Sequence, residues 1–289
     1  MKYGILEIDH LLTYVVDMDD ATNRYRRMGF TLTPISHITT MGIVNHLVLL
    51  QSGTSGAANF IELMGIEDAG KLPAAMQAVL SGEPGIKSMV MTAPDAAKAQ
   101  AELSQAGYSF APPAHVKREW VLPGEGSVWP EFDVLLPIPA PLSFNVCQYH
   151  NLELYQRKDW QRHPNTALSV QAVFAVAGEP AEGIAYFEKL FGRKARLAPD
   201  GSLGVSPAAV ELQVYTPAAF EARYGLPPRA PAERGLMSYA GMRVGVADLS
   251  ALKQCLGDNG VDFADHSGRV VVGPEQACGN VIEFVAARP

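Results

Sequence analysis

The stretch "IDHLLTYVVDMDDATNRYRRMGF", residues 8–30, decides the fold of this chain. Its first part has the apolar alternation of a strand that is buried on both faces. Asp17 and Asp19 then stand where a helix N-cap is preferred, and Gly29 ends the helix that follows. A strand, a turn and a helix are therefore predicted. His10 lies within the strand, where an apolar residue would suffice, so its imidazole needs an explanation.

The same plan occurs four times along the chain. Three further strands are predicted within residues 30–66, so the first module reads β-α-β-β-β. A strand, a helix begun by Asp or Pro, and a glycine near the helix end recur after residues 85, 167 and 239. Four copies predict an α+β fold of four βαβββ modules in two pseudo-symmetric halves. Because one module cannot close a core, we expect each pair to form an open, curved, eight-stranded sheet with a concave cleft.

The domain boundary is predicted in "RKDWQRHPNT", residues 157–166, which is polar and contains a proline. Such stretches connect domains more often than they lie inside one. The first domain would span residues 1–160 and hold modules one and two. The second would span residues 167–289 and hold modules three and four.

Composition narrows the class of protein. The net charge of -7 argues against a nucleic-acid or anionic-membrane surface. No apolar run approaches the roughly 20 residues that span a bilayer, and no signal peptide is evident. The 3 cysteines contain no CxxC pair, which argues against a disulfide framework and a thiolate zinc site. We expect a cytoplasmic monomer or homodimer that takes a small molecule and binds neither nucleic acid nor membrane.

Polar residues recur at matched places in the four modules. Alignment on the helix starts matches His10 with Ser88, Gln171 and Gly241, and alignment of the closing strands matches Glu62 with Gln148, Glu211 and Glu283. A carboxylate inside an apolar strand is costly to bury alone, and a divalent cation is one way to neutralise it.

Imidazole, carboxylate and amide donors suit Zn²⁺, Ni²⁺, Mn²⁺, Co²⁺ or Fe²⁺. The predicted metal ligands are therefore His10 and Glu62, completed by Gln148 or by His150, which shares the strand face of Gln148. The matched residues of the C-terminal half are Gln171, Glu211 and Glu283. They predict either a degenerate second site or a half that braces the first half or binds a partner.

These modules and residues resemble the vicinal oxygen chelate superfamily, which includes glyoxalase I, extradiol dioxygenases, epimerases and bleomycin-resistance proteins. "SHITTMGIVNHLVLL…NFIELMGI" is similar to its glyoxalase-like subgroup, and so is "RHPN", residues 162–165. The resemblance implies that His37 and Asn45 accompany Glu62 in the site. It also implies a metal held by His or Gln from a first strand and Glu from a last strand of each module.

The chain departs from that pattern at several positions. Ser88 stands where a second histidine would complete the metal site, and Gly241 stands at the matching place in the fourth module. His46 either lines the cleft or faces away from it. Trp120 and Trp129 flank a loop that is either a lid over the cleft or a surface loop. Together with His37 and Asn45, these three are the predicted substrate-binding residues.

Three functions follow from the resemblance. The first is a metal-dependent lyase or isomerase acting on a small oxygen-rich molecule, with Glu62 as ligand or as catalytic base. The second is a metal-free binding or resistance protein, which the missing second histidine favours. The third is an extradiol-type dioxygenase, which needs two histidines and one glutamate in one half. The C-terminal half offers no such pair.

Overall fold

The structure is a computed structural model that describes residues 2–137, 139–228 and 235–287. The strands of the first half are β1 (Glu7–Tyr14), β2 (Ser36–Ile38), β3 (Ile43–Leu49), β4 (Phe60–Ile66), β5 (Gly85–Thr92), β6 (Ala114–Lys117), β7 (Trp120–Leu122), β8 (Gly126–Val128), β9 (Glu131–Leu135) and β10 (Phe144–Tyr149). Those of the second half are β11 (Ala167–Val176), β12 (Arg196–Leu197), β13 (Leu203–Val205), β14 (Glu211–Tyr215), β15 (Ser238–Val246), β16 (Ala264–His266), β17 (Arg269–Val272) and β18 (Val281–Ala286). The helices are α1 (Met18–Arg27), α2 (Ala74–Val79), α3 (Ala96–Gln105), α4 (Pro180–Phe191), α5 (Pro217–Tyr224) and α6 (Leu249–Asp258).

Each half forms one eight-stranded sheet, and the two sheets have the same plan. The first has the order β2-β3-β4-β1-β5-β10-β9-β6, and the second has the order β12-β13-β14-β11-β15-β18-β17-β16. Strands β7 and β8 form a separate hairpin. In both sheets the first strands of the two modules pair antiparallel at the centre, and each pairs parallel with the last strand of its own module. The predicted α+β fold of four modules is confirmed.

The opening stretch folds as its sequence predicts. Seven of the eight residues of β1 are buried. Asp17 caps α1 by accepting a hydrogen bond from the backbone N–H of Asp20 at 2.9 Å. Gly29 follows α1 with a φ of +81°, and a Cβ there would lie 2.8 Å from the Cβ of Asn165. Glycine is required at this point both by the backbone conformation and by the close approach of the connector between the two halves.

The two halves share one hydrophobic core between their helix-bearing faces. Its largest fully buried members from both halves include Leu11, Tyr25, Met28, Phe144, Phe187 and Phe284. The opposite, concave face of each sheet carries separate smaller clusters and the polar residues of interest. Within the described ranges, no helix combines the length and the apolar character needed to cross a membrane.

Strand register defines the equivalent positions of the four modules. In the first half, Leu12 of β1 lies between Ser88 on β5 and Glu62 on β4. In the second half, Phe174 of β11 lies between Gly241 on β15 and Gln213 on β14. Gln213 is therefore the counterpart of Glu62.

A second row of residues gives the other two positions. Val90 of β5 lies between His10 on β1 and Asn145 on β10. Arg243 of β15 lies between Ala172 on β11 and Glu283 on β18. The four residues at the position of His10 are thus His10, Ser88, Ala172 and Gly241, and the four at the position of Glu62 are Glu62, Asn145, Gln213 and Glu283.

This register corrects the sequence alignment at three places. Asn145 replaces Gln148, Ala172 replaces Gln171, and Gln213 replaces Glu211. The register of β1 skips Asp9, and that of β11 skips Gln171, so these two residues occupy matching bulges. A bulge re-aims one side chain, and a slip of one residue moves a side chain to the other face of the sheet.

Candidate functional site

Asp9 holds the ring of His10 on the concave face of the first sheet. Its buried carboxylate contacts Nδ1 of His10 and accepts hydrogen bonds from the hydroxyls of Thr92 and Tyr149, the latter at 2.9 Å. The carboxylate of Asp9 also accepts a hydrogen bond from the backbone N–H of Ala58 at 3.2 Å. With Nδ1 donating to this carboxylate, Nε2 of His10 presents a lone pair. A carboxylate behind an imidazole is the usual support of a metal ligand or a base.

Glu62 faces that lone pair. Its Oε2 lies 3.7 Å from Nε2 of His10, and its Oε1 accepts a hydrogen bond from Nδ2 of Asn45 at 2.7 Å. Asn45 therefore orients the carboxylate as Asp9 orients the imidazole. The Oδ1 of Asn45 is buried and has no partner among the described residues. A buried acceptor of this kind is costly unless something donates to it.

Aromatic side chains form one wall of the site. The ring of Phe60 stacks on His10 at 4.0 Å between centroids, and Tyr155 stacks on Phe60 at 5.4 Å. Burial raises the pKa of Tyr155 to about 12, although the guanidinium of Arg118 beside it acts in the opposite direction. Burial also raises the pKa of Tyr149 well above its ordinary value. Tyr149 therefore stays protonated and donates to Asp9.

The second module supplies two neutral oxygen donors at the matching positions. The Oγ of Ser88 donates to Oδ1 of Asn145 at 3.3 Å, which parallels the His10–Glu62 contact of the first module. The four residues lie on the adjacent strands β4, β1, β5 and β10. The set thus offers an imidazole nitrogen, a carboxylate, an amide oxygen and a hydroxyl.

The structure does not bring Gln148 or His150 to His10. The amide oxygen of Gln148 accepts a hydrogen bond from the backbone N–H of Ala96, the first residue of α3. The side chain of Gln148 therefore lies on the helix-bearing face of the sheet and supports the start of α3. His150 contacts Asp133 at 2.9 Å, and Asp133 contacts His115 at 2.8 Å. The ligand atoms of these last three residues lie within 4.8 Å of one another and could hold a metal, but away from the cleft.

His37 and His46 also lie outside the cleft. His46 alternates with Asn45 along β3, and its Nδ1 contacts the backbone oxygen of Thr33 at 2.8 Å on the opposite face. Burial lowers the pKa of His46, so it is neutral at pH 7. His37 is exposed and contacts Glu67 at 2.8 Å. Both contacts account for these imidazoles without a substrate.

The two tryptophans have different surroundings. Trp120, at the start of β7, is 1% exposed and donates from Nε1 to the backbone oxygen of Pro34 at 3.1 Å. It packs with Leu49 and Phe60 in the apolar cluster beside the site. Trp129 is 49% exposed. The β7–β8 hairpin therefore covers the concave face through Trp120, whereas Trp129 lies at the surface.

Polar residues of the second half are paired with arginine. Glu283, at the position of Glu62, contacts Arg223 at 2.5 Å and Arg243 at 2.6 Å. Glu211 contacts Arg196 at 2.8 Å. Guanidinium groups thus already neutralise these carboxylates, so no metal is needed there.

Sequence reasoning missed three residues of the first site, which are Asp9, Asn145 and Tyr149. Asp9 has a signal in the sequence, because it places a charge directly before His10 in an apolar strand. Asn145 is a polar residue inside the apolar run of β10, and Tyr149 shares its alternation. The alternation of β10 thus marks Asn145 and Tyr149 as sharing one face of the strand, but only the strand register shows that this face is the concave one.

The predicted resemblance to the glyoxalase-like subgroup of the vicinal oxygen chelate superfamily is confirmed by a comparison with protein families. Residues 8–191 match the family described as Glyoxalase-like domain, and the chain belongs to that family. A comparison with curated proteins gives no match.

Solved structures agree with the fold. A hypothetical protein from Staphylococcus aureus is 12% identical with a TM-score of 0.69, over 98% of this chain and 100% of that one. A variant of 4-hydroxymandelate synthase from Streptomyces coelicolor is 12% identical with a TM-score of 0.58, over 99% and 94%. A variant of homoprotocatechuate 2,3-dioxygenase from B. fuscum is 13% identical with a TM-score of 0.56, over 99% and 72%.

Proposed function

We propose that this protein is a divalent-metal-dependent enzyme of lyase or isomerase type that acts on a small oxygen-rich molecule. The observation that carries the proposal is the oriented pair of His10 and Glu62. The carboxylate of Asp9 contacts Nδ1 of His10, and the side-chain amide of Asn45 donates a hydrogen bond to Oε1 of Glu62. The two remaining ligand atoms lie 3.7 Å apart, and both side chains are buried. Two ligand atoms that are bound to the same cation commonly lie about this far apart.

The residues present fit a divalent cation of the Mn²⁺, Fe²⁺, Co²⁺, Ni²⁺ or Zn²⁺ group. His10 and Glu62 would be its principal ligands, and Asn145 and Ser88 would be weaker oxygen donors from the second module. Such an ion, when bound, acts as a Lewis acid that polarises substrate oxygens. This set revises the predicted ligands Gln148 and His150, which lie elsewhere.

The surrounding side chains suggest how a substrate is held. The unpartnered Oδ1 of Asn45 would accept a hydroxyl or N–H of the substrate. The stacked rings of Phe60 and Tyr155 exclude water, which strengthens every polar contact inside. The buried guanidinium of Arg118, beside Tyr155, would bind an anionic or carbonyl oxygen. Glu62 is the candidate base for an acidic C–H, since its Oε2 accepts none of the described hydrogen bonds.

A metal-free binding protein is the second candidate. Ser88, which stands where a second histidine would complete a metal site, favours it. The dioxygenase candidate finds less support. The positions that would hold histidine in the second half are taken by Ala172 and Gly241, and the second such position of the first half is taken by Ser88.

The test is the metal content of the purified protein, measured by plasma mass spectrometry after reconstitution with each cation. All variants carry His150→Ala, which removes the surface group formed with His115 and Asp133 as a source of background. We expect close to one metal per chain in this background, and little bound metal in His10→Ala and Glu62→Gln, because each substitution removes a principal ligand.

Two matched controls sharpen the test. His37→Ala removes an exposed histidine that also contacts a carboxylate, and Gln148→Leu removes the ligand that the sequence predicted. Neither should change metal content. If no cation binds in the background variant, or if His37→Ala lowers binding as much as His10→Ala, the metal-dependent proposal is wrong. A metal-free protein that is stabilised by small molecules in thermal-shift assays would then support the second candidate.

A further inference from the structure

The concave face of the second sheet carries an open cavity lined by arginines. Its volume is about 570 Å³, which is within the usual range for small-molecule sites. Three guanidinium groups reach it, those of Arg223, Arg243 and Arg269, together with Gln171 and His266. It is separate from the His10–Glu62 cleft, because it lies on the other sheet.

Glu283 fixes the three guanidinium groups in place. It is completely buried, and contacts Arg223 at 2.5 Å, Arg243 at 2.6 Å and Arg269 at 3.5 Å. Arg223 also contacts Asp200 at 2.8 Å. Each arginine side chain remains about one-fifth exposed, at 20–21%. The arginines are therefore anchored from below and open to the cavity from above.

An aromatic floor adds to this rigidity. Arg243 lies over the ring of Phe174 at 5.5 Å, and Arg223 and Arg269 lie near Tyr224 at 5.5 and 5.9 Å. Such cation–π contacts favour the charged group and restrict its motion. Side chains that are held in one geometry lose little entropy when they bind a ligand.

The charge balance of this group is positive. Three guanidinium groups stand against the two carboxylates of Glu283 and Asp200, which leaves one positive charge among these described residues. Guanidinium forks match the geometry of carboxylate and phosphate oxygens. A cation would be repelled here, although Glu283 stands at the position of the metal-site glutamate.

We propose that the second half binds a small organic anion, with a carboxylate or phosphate group held by Arg223, Arg243 and Arg269. Gln171 and Arg243 also line a neighbouring cavity of about 430 Å³, whose other lining residues include Ser169, the ion pair of Arg196 with Glu211, and Glu7. The remainder of the ligand would extend into this polar space. The concave site of the second half thus has the opposite charge preference to the proposed metal site of the first half.

The test is calorimetric titration of the full chain at low ionic strength with two probes, succinate and glycerol phosphate, and with uncharged glycerol as a blank. We expect saturable binding of at least one anion, weakened as salt is added, and the stronger probe identifies the ligand group. Arg269→Gln should weaken binding about ten- to a hundredfold. This arginine has the longest contact with Glu283, so its loss should disturb the fold least.

The matched control is Arg193→Gln, an exposed arginine of the same half that lies outside this cavity. His266→Gln, at the cavity rim, is a second test if Arg269→Gln fails to fold. Absence of saturable binding by the wild-type chain, or equal weakening in Arg193→Gln, overturns the proposal. His10→Ala should leave anion binding unchanged, so the result does not depend on the proposed metal site.

Discussion

At the scale of single residues, the site depends on Asp9. Its carboxylate accepts bonds from His10, Thr92, Tyr149 and Ala58, so it both orients the imidazole and fills a buried polar position. We expect Asp9→Asn to lower metal affinity about ten- to a hundredfold, because an amide can present N–H to His10 and favour the wrong tautomer. Competition with a chelating dye measures this. The exposed Asp19→Asn is the control, and equal affinities in the two variants would contradict the role of Asp9.

At the scale of elements, local pattern and strand pairing contribute different information. The alternation in β1, the Asp17 cap and Gly29 are local, so the βαβββ plan could be predicted from the sequence. The partner of each residue on a neighbouring strand is not local. Bulges at Asp9 and Gln171 shift the register without any glycine or proline to mark them. The sequence therefore predicted His10 and Glu62, which the structure pairs, but selected Gln148 where the register selects Asn145.

The β7–β8 hairpin packs beside the His10–Glu62 site. It is anchored by Trp120, which packs against Leu49 and Phe60 and donates to Pro34. We expect Trp120→Ala to cost about 3 kcal/mol or more, the usual range for a large buried aromatic side chain. Urea denaturation measures the loss, and hydrogen exchange should show faster opening in β2 and β3.

The neighbouring Val121 is 60% exposed and provides the control. Val121→Ala should change stability by less than about 0.5 kcal/mol. Equal effects of the two substitutions would show that the hairpin is not fastened by Trp120, and the covering role of the hairpin would then lose its support.

At the scale of the whole molecule, the two halves act as one body through a shared core and a pinned connector. His163 in the "RHPN" stretch accepts the backbone N–H of Thr31 at 3.0 Å through Nδ1 and contacts the backbone oxygen of Leu49 at 2.9 Å through Nε2. Asn165 donates to the backbone oxygen of Met28 at 2.9 Å. The stretch that the sequence presents as a domain boundary thus lies against the first half. Its histidine and asparagine have structural partners rather than a place in the cleft.

This arrangement predicts how stability depends on pH. Burial lowers the pKa of His163 and of His46 below the ordinary value of 6.5. The unfolded chain therefore binds more protons than the folded one as the pH falls below that value, and the free energy of unfolding should fall with it. The contribution is complete above pH 6.5 and decreases toward acid. Urea denaturation from about pH 7 to about pH 5.5 measures the slope, in a range where ordinary carboxylates remain charged.

The His163→Gln variant separates this cause from others. It should be less stable than the wild type at neutral pH, because Gln cannot reproduce both contacts. Its free energy of unfolding should also fall less steeply as the pH is lowered. Only one of the two buried histidines then remains to take up a proton on unfolding. The control His37→Gln removes an exposed histidine and should keep the wild-type slope. If the dependence of the free energy of unfolding on pH is the same in His163→Gln as in the wild type, another group governs the acid response and this prediction is wrong.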